Sequence, residues 1–453
     1  MAPVAVIFAL ATLLVSNSGL QKRRQQTKLE QRKQRQQDDS EQGFGDQEPI
    51  LPDRIPQNGP FPTYFTCRHT YEDTLMTEIE TLVEDPDDIQ VSSPLPGLVR
   101  VDGLQLDSER YLDPVYALQC LPDCRIVESS NSIKGLARSI ASDTKFNQWL
   151  QSAPKNSLTV HALVPGMCKG QRDPTLKSRA YLVAEEVCEL WKAKFPAARK
   201  ISGSKDALGG HPRKGHAWLL QILLLSQNVA AASLVPCREV FGSRSGQVVW
   251  PNRYLPLGMA NVDIEEKMPS SAYRKLLEAF CCMRTFPSSK DIVIDLGASP
   301  GGWTAAMLLL YKCRVVAVDR AELGPKLMKN PSVKFIQGDA FSYRPPRQVT
   351  WMVSDIISYP ERVAELLQDW CGQKWAKYMV LTVKFRGLEP TWNSLYNAMQ
   401  VASANGYQAR AKHFFNNKNE VTLMLRDNET RDEGIETKVG ELPQPIYKIS
   451  WPK

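Results

Sequence analysis

Between Asp291 and Asp427 the apolar residues fall in blocks of two alternating kinds. DIVIDLG, RVVAVD, SVKFIQGD, VTWMVSD and YMVLTVKF are apolar without the every-other-residue break of a half-exposed strand, so each reads as a strand buried on both faces. GWTAAMLLLYK, RVAELLQDWCGQKW and TWNSLYNAMQVASANG repeat at helical spacing between them, and YQARAKHFF and NEVTLMLRD close the segment as two further strands. The pattern predicts a doubly wound α/β domain over 236–430, with a Rossmann-like seven-stranded sheet that binds ligands at the carboxyl edge of its strands.

Upstream the blocks are shorter. TYFTCRH, GLVRVDG and DCRIVE alternate with TLMTEIETLVE and predict a small α+β domain over 61–134. A second α+β domain is expected over 135–235, from SLTVHALV, the helix SRAYLVAEEVCELWKAKF and AWLLQILLLS. Residues 3–16 are continuously apolar but shorter than the roughly 18–20 residues that cross a bilayer, which fits a signal-peptide core better than a stable membrane helix. A basic, glutamine-rich stretch and an acidic Pro/Gly-rich linker complete an expected targeting segment over 1–60. It implies import into an organelle, plastid or mitochondrion, with a cytoplasmic or membrane-anchored protein as the alternative. Residues 431–453 read as a tail.

Charge refines this picture. Seven basic residues between Lys22 and Arg35, against Glu30 alone, supply +6 of the net +7, so any nucleic-acid face must be local. The densest candidate outside that arm is Lys192, Lys194, Arg199, Lys200, Lys205, Arg213 and Lys214, with Asp206 the only acid among them. Clustered cations of this kind displace counterions from an RNA backbone, although a solvated loop has the same composition. The ten cysteines include no CxxC pair, which predicts reduced thiols, a reducing compartment and no metal site.

The candidate chemistry lies at the predicted sheet edge. Asp295-Leu-Gly-Ala-Ser-Pro-Gly-Gly-Trp303 forms the first strand-to-helix turn, where Gly297, Gly301 and Gly302 let backbone approach a ligand. Asp319 ends the second strand, placed for a ribose diol, and Asp339 ends the third, suited to an adenine amino group. The turn lacks GxGxxG, so S-adenosylmethionine is preferred to a dinucleotide, with Asp295, Gly297, Ser299, Pro300, Gly301, Gly302, Trp303, Asp319, Asp339 and Asp355 as its candidate contacts. The fourth strand ends in Ser354-Asp355 without the Pro-Pro-aromatic clamp of enzymes that methylate exocyclic base nitrogens. The fifth strand ends in Lys384, and an antiparallel last strand would start at Glu420 beside it. Lys275, on SAYRKLLEAF, is the fourth candidate for one pocket. A ribose 2′-hydroxyl must lose its proton as it attacks a methyl group. A free lysine is mostly protonated at neutral pH, but burial and a second cation lower such a value. Lys384 is therefore expected as base, Asp355 as its orienter, and Lys275 and Glu420 as substrate-positioning groups. Each has a plainer reading: a solvated strand cap, a helix N-cap, an exposed helix position, and a partner for Lys418.

These motifs resemble the FtsJ-like RNA 2′-O-methyltransferases with a Lys-Asp-Lys-Glu tetrad, and within them the bacterial large-subunit ribosomal RNA methyltransferase M family. The resemblance runs through Met268-Pro-Ser, Lys275-Leu-Leu-Glu-Ala-Phe280, the glycine turn to Thr304, Arg344-Pro-Pro-Arg, Trp351-Met-Val-Ser-Asp355, Trp375, Val383-Lys384 and Asn419-Glu-Val-Thr422. It implies cytidine 2′-O-methylation in large-subunit ribosomal RNA, and ferredoxin-like and THUMP-like RNA-binding domains ahead of the catalytic one. The chain departs from the family where Ser270-Ser271-Ala272 replaces a Ser-Arg-Ser/Ala run, at Ser299 in the glycine turn, and after Lys384. A catalytically silent RNA-binding assembly factor is the rival reading, and a dinucleotide-dependent oxidoreductase a third.

Overall fold

The computed structural model describes residues 61–430 apart from 84, 105–111, 130–131, 154, 166–173, 200–216, 238–267, 284 and 386–389. The targeting segment, Lys200, Lys205, Arg213, Lys214 and the C-terminal tail lie outside the described residues.

The first sheet contains β1 (Thr63–Thr66), β2 (Gln90–Leu95), β3 (Leu98–Asp102) and β4 (Gln119–Leu121), with helix α1 (Glu72–Leu82) between β1 and β2. Its order is β2-β3-β1-β4, antiparallel throughout. Every residue of β1 is buried, so apolar matter covers both of its faces.

The second sheet contains β5 (Arg125–Glu128), β6 (Leu158–Leu163), β7 (Ala217–Leu224) and β8 (Val229–Cys237), in the order β5-β8-β7-β6. Helices α2 (Ile133–Ala141), α3 (Thr144–Ser152) and α4 (Pro174–Lys192) belong to the same part of the chain. The side chains of Ser132 and Asp143 cap α2 and α3 by accepting from Gly135 N and Phe146 N. Here the structure corrects the expected boundary at 134. The strand in DCRIVE pairs with β8, from Arg125 opposite Ala232 to Glu128 opposite Val229, so it belongs to the second sheet. Only Pro122-Asp123-Cys124 separates it from β4, and no linker composition marks the crossing.

The third sheet contains β9 (Ile292–Leu296), β10 (Arg314–Asp319), β11 (Val333–Gln337), β12 (Val349–Ser354), β13 (Ala376–Lys384), β14 (Tyr407–Lys412) and β15 (Glu420–Asp427). Its order is β11-β10-β9-β12-β13-β15-β14, with β9 to β13 parallel and β15 antiparallel to both neighbours. One face packs on α5 (Tyr273–Met283) and α6 (Gly302–Tyr311) through Leu276, Phe280, Ala305 and Met307. The other packs on α8 (Pro360–Gly372) and α9 (Trp392–Ala404) through Leu366, Leu367, Leu395 and Ala398. The short α7 (Pro325–Met328) follows β10. Strand order reverses between β9 and β12, and a doubly wound sheet opens its ligand crevice at such a point.

Strand β14 would be an open edge, but residues 113–117 cover it. His413 N donates to Val115 O, and Lys412 Nζ donates to Pro114 O and Ala117 O. Asp113 accepts from Arg410 at 2.7 and 2.9 Å and pairs with Lys412 at 2.6 Å. The two cations hold its carboxyl well below the usual carboxylate range despite burial.

Candidate active site

Strand β9 delivers the glycine turn to the crevice. Gly297 has φ +73°, and a Cβ there would lie 2.6 Å from Ile356 Cγ1, on the residue after Asp355. Gly301 has φ +109°, and its Cβ would lie 2.1 Å from Leu327 Cδ1. Gly302 opens α6 against Ser270. Asp319 spans the turn, its Oδ2 accepting from Ser299 N and its Oδ1 from Ala321 N, both at 2.9 Å. Each oxygen keeps capacity to accept a second hydrogen bond. Ser299 Oγ donates to Glu322 O, and Pro300 is exposed. Backbone that no Cβ crowds, beside a carboxylate with acceptor capacity, fits the amino-acid and ribose parts of S-adenosylmethionine.

Three residues expected to touch the cofactor also make contacts within the protein. Trp303 is buried, and its Nε1–H donates to Ala272 O at 2.9 Å, which pins the segment before α5 to the start of α6. Asp295 is buried beneath the turn and accepts from Thr304 Oγ1 at 2.6 Å. Asp339 accepts from Phe341 N at 3.0 Å and from Arg320 Nη2 at 2.7 Å. Those bonds lower its pKa, and an adenine amino group would have to share the carboxylate with Arg320.

Burial, aided by Asp355 and Asp319, raises the Asp295 carboxyl to about 7. Asp295 therefore holds its proton more tightly folded than unfolded. Its stabilising share is complete below the ordinary carboxylate range and is lost as pH rises towards 7. Thermal unfolding at about pH 5 and about pH 8 should show a smaller loss of melting temperature for Asp295→Asn than for the wild type. The turn itself has a separate test. Gly297→Ala should weaken S-adenosylhomocysteine binding by at least about tenfold in titration calorimetry, because the left-handed backbone and the contact with Ile356 both resist a side chain.

Beside the turn, four ionisable side chains meet. Lys275 Nζ donates to both carboxylate oxygens of Asp355 at 3.0 Å and to Glu420 Oε1 at 2.9 Å. Lys384 Nζ lies 3.0 Å from Asp355 O and 3.1 Å from Asp355 Oδ1. Lys384 and Glu420 are direct partners across β13 and β15, as the antiparallel last strand requires. Side-chain exposure rises from 7% at Lys275 and 9% at Glu420 to 18% at Asp355 and 23% at Lys384. Of the two amines, Lys384 is thus the one that a substrate can reach. The plainer readings do not describe this geometry: Lys275 is buried, Asp355 joins two lysines, and Glu420 bonds Lys275.

Sequence reasoning missed the groups that hold these four. Thr382 Oγ1 donates to Asp355 Oδ1 at 2.7 Å from within β13. The turn before Glu420 is fixed by Glu278, which accepts from Asn416 N, and by Asn417, which accepts from Phe414 N. Lys418 O takes bonds from Tyr71 Oη at 2.9 Å and His413 Nε2 at 2.8 Å. Burial pushes His413 down to about 4, so its ring is neutral at physiological pH. Glu278 was legible as part of the run after Lys275. Tyr71 was not, since it stands 347 residues from its partner.

Of the basic loop, Lys192, Lys194 and Arg199 are described, and all three are exposed. Lys192 pairs with Glu189 at 3.2 Å, and Lys194 Nζ lies 5.0 Å from the Phe195 ring centroid. The eight cysteines whose side chains are described are free thiols. Among the described residues no His/Cys/Asp/Glu group could hold a metal, and no helix is long and apolar enough to cross a membrane.

Residues 268–381 match the family model described as FtsJ-like methyltransferase, which carries S-adenosylmethionine as methyl donor. Three similar curated proteins share the name Ribosomal RNA large subunit methyltransferase M. That of Xylella fastidiosa (strain M12) is 30% identical over 177 residues, 37% of this chain and 50% of the relative. That of Hahella chejuensis is 31% identical over 183 residues, 38% and 46%. That of Teredinibacter turnerae is 32% identical over 222 residues, 46% and 59%. The chain spans about half the length of the curated relatives it matches.

Proposed function

From a chain that carries an FtsJ-like methyltransferase domain over residues 268–381, we propose that the protein methylates a ribose 2′-hydroxyl, that of a cytidine, in large-subunit ribosomal RNA. The observation that carries this reading is the contact of Lys275, Asp355, Lys384 and Glu420 with Lys384 the accessible amine. Bound S-adenosylmethionine supplies the electrophilic methyl group. The glycine turn and Asp319 would hold its amino-acid and ribose parts. Lys384 Nζ, in its uncharged form, takes the proton of the sugar hydroxyl. Asp355 fixes that amine through its backbone carbonyl and carboxylate. Lys275 and Lys384 together balance Asp355 and Glu420, and Glu420 holds Lys275 against Asp355 from the buried side.

The name shared by the curated relatives supports ribosomal RNA as the partner. The strand order β2-β3-β1-β4 supports a ferredoxin-like reading of the first sheet. A THUMP-like role for the second, RNA contact by its basic residues and an organellar destination belong to the same proposal. Incubating the full-length protein with labelled S-adenosylmethionine and protein-free large-subunit rRNA tests it. Label should enter the RNA, and RNA that stays unlabelled would refute the proposal.

A further inference from the structure

The turn after Asp355 carries a feature that the proton-transfer chemistry does not use. Among the described residues the exposed large hydrophobic side chains are Leu182, Leu190, Met328, Ile357 and Tyr359. Two of these lie within four residues of Asp355, with Ile357 89% and Tyr359 54% exposed. The segment leaves the end of β12, seats Ile356 against Gly297 in the glycine turn, and then turns Ile357 and Tyr359 outward before α8 begins at Pro360. It joins the cofactor turn, the Asp355 carboxylate and an apolar outer wall within five residues.

A domain that buries its apolar residues this thoroughly leaves two large ones at the rim of its own crevice for a partner. The reacting group narrows the choice. A ribose brought to Lys384 carries its base one glycosidic bond away, and sequence-specific recognition of RNA mostly takes single-stranded nucleotides whose bases have left their neighbours' stack. An unstacked base needs a new apolar surface, which an exposed aromatic ring two residues from an exposed aliphatic side chain offers to any base. We infer that Ile357 and Tyr359 form the platform on which the base of the target nucleotide stacks, an inference that rests on the ribose-methylation reading above. The two residues act on affinity for the unstacked nucleotide, whereas Lys384 and Asp355 act on the proton.

The test compares wild type, Ile357→Ala/Tyr359→Ala and the conservative Tyr359→Phe, with protein-free large-subunit rRNA as the probe. The double variant should raise the KM for RNA by roughly tenfold or more. It should keep the single-turnover rate at saturating RNA and the affinity for S-adenosylhomocysteine, and Tyr359→Phe should behave as wild type. A KM within about twofold of wild type would overturn the platform. So would unchanged RNA binding together with loss of a self-association seen by sedimentation, which would make the patch a protein contact. Wild-type label arriving on a base instead of a sugar would refute the ribose reading. RNA affinity, compared between wild type and variant, would still decide the platform separately.

Discussion

Lys384→Ala should slow methyl transfer by about 10²–10⁴-fold, the range that a positioned general base contributes. Affinity for S-adenosylhomocysteine should stay within a few-fold of wild type, because the glycine turn and Asp319 are untouched. Lys384→Arg sharpens the result. A guanidinium reaches Asp355 and keeps the charge, but it does not give up its proton in a protein. If Lys384 only neutralised Asp355, the arginine variant would retain much of the activity. As a base its loss should match that of the alanine variant, and parallel single-turnover assays on the same RNA separate the two cases.

The second large effect falls on stability as well as rate. Lys275 is buried and bonds two carboxylates at once. Lys275→Met leaves Glu420, also buried, without the cation it faces, and Asp355 with Lys384 and Thr382 alone. Stranding one member of a buried pair costs about 3–5 kcal/mol. Lys275→Met should therefore lower the urea midpoint markedly and abolish turnover. Lys275→Met/Glu420→Gln should regain much of that stability, since the stranded charge is gone, and remain inactive. A double variant no more stable than the single one would show that the loss comes from packing of α5 and not from charge.

Much of the catalytic domain could be read from the sequence because its strands announce themselves. A strand covered on both faces is apolar along most of its length, as Ile292 to Ile294 of β9, Trp351 to Val353 of β12 and Tyr378 to Leu381 of β13 are. The meeting of Lys384 with Glu420 followed from one topological premise, an antiparallel last strand, and the register bears that premise out. The upstream sheets were harder. β8 reads VAAASLVPC, an alanine-rich run with little strand signal. It is a strand because Ala230 and Ala232 pack into one apolar cluster and Ala231 into another, the two-residue period hidden by small side chains. DCRIVE was grouped with the 61–134 domain, whereas β5 pairs with β8, because three residues without linker character carry the chain from one sheet to the next.

The site was legible to the same depth. Residues at strand ends could be placed from sequence, whereas the direction a side chain takes from a turn could not. Trp303 points into the core and Asp295 beneath the turn, although both stand in the motif that shapes the crevice. Thr382 sits in a buried run where a hydroxyl looks like any small β-branched residue. Tyr71 reaches Lys418 only because the first sheet folds against the far edge of the catalytic one.

The most direct measurement is the chemical position of the transferred methyl group. After reaction with labelled S-adenosylmethionine, large-subunit rRNA digested to nucleosides and resolved by mass spectrometry should yield labelled 2′-O-methylcytidine, and none from Lys384→Ala. Label on a base nitrogen or carbon, or equal label from wild type and Lys384→Ala, would contradict a lysine that strips a sugar hydroxyl of its proton.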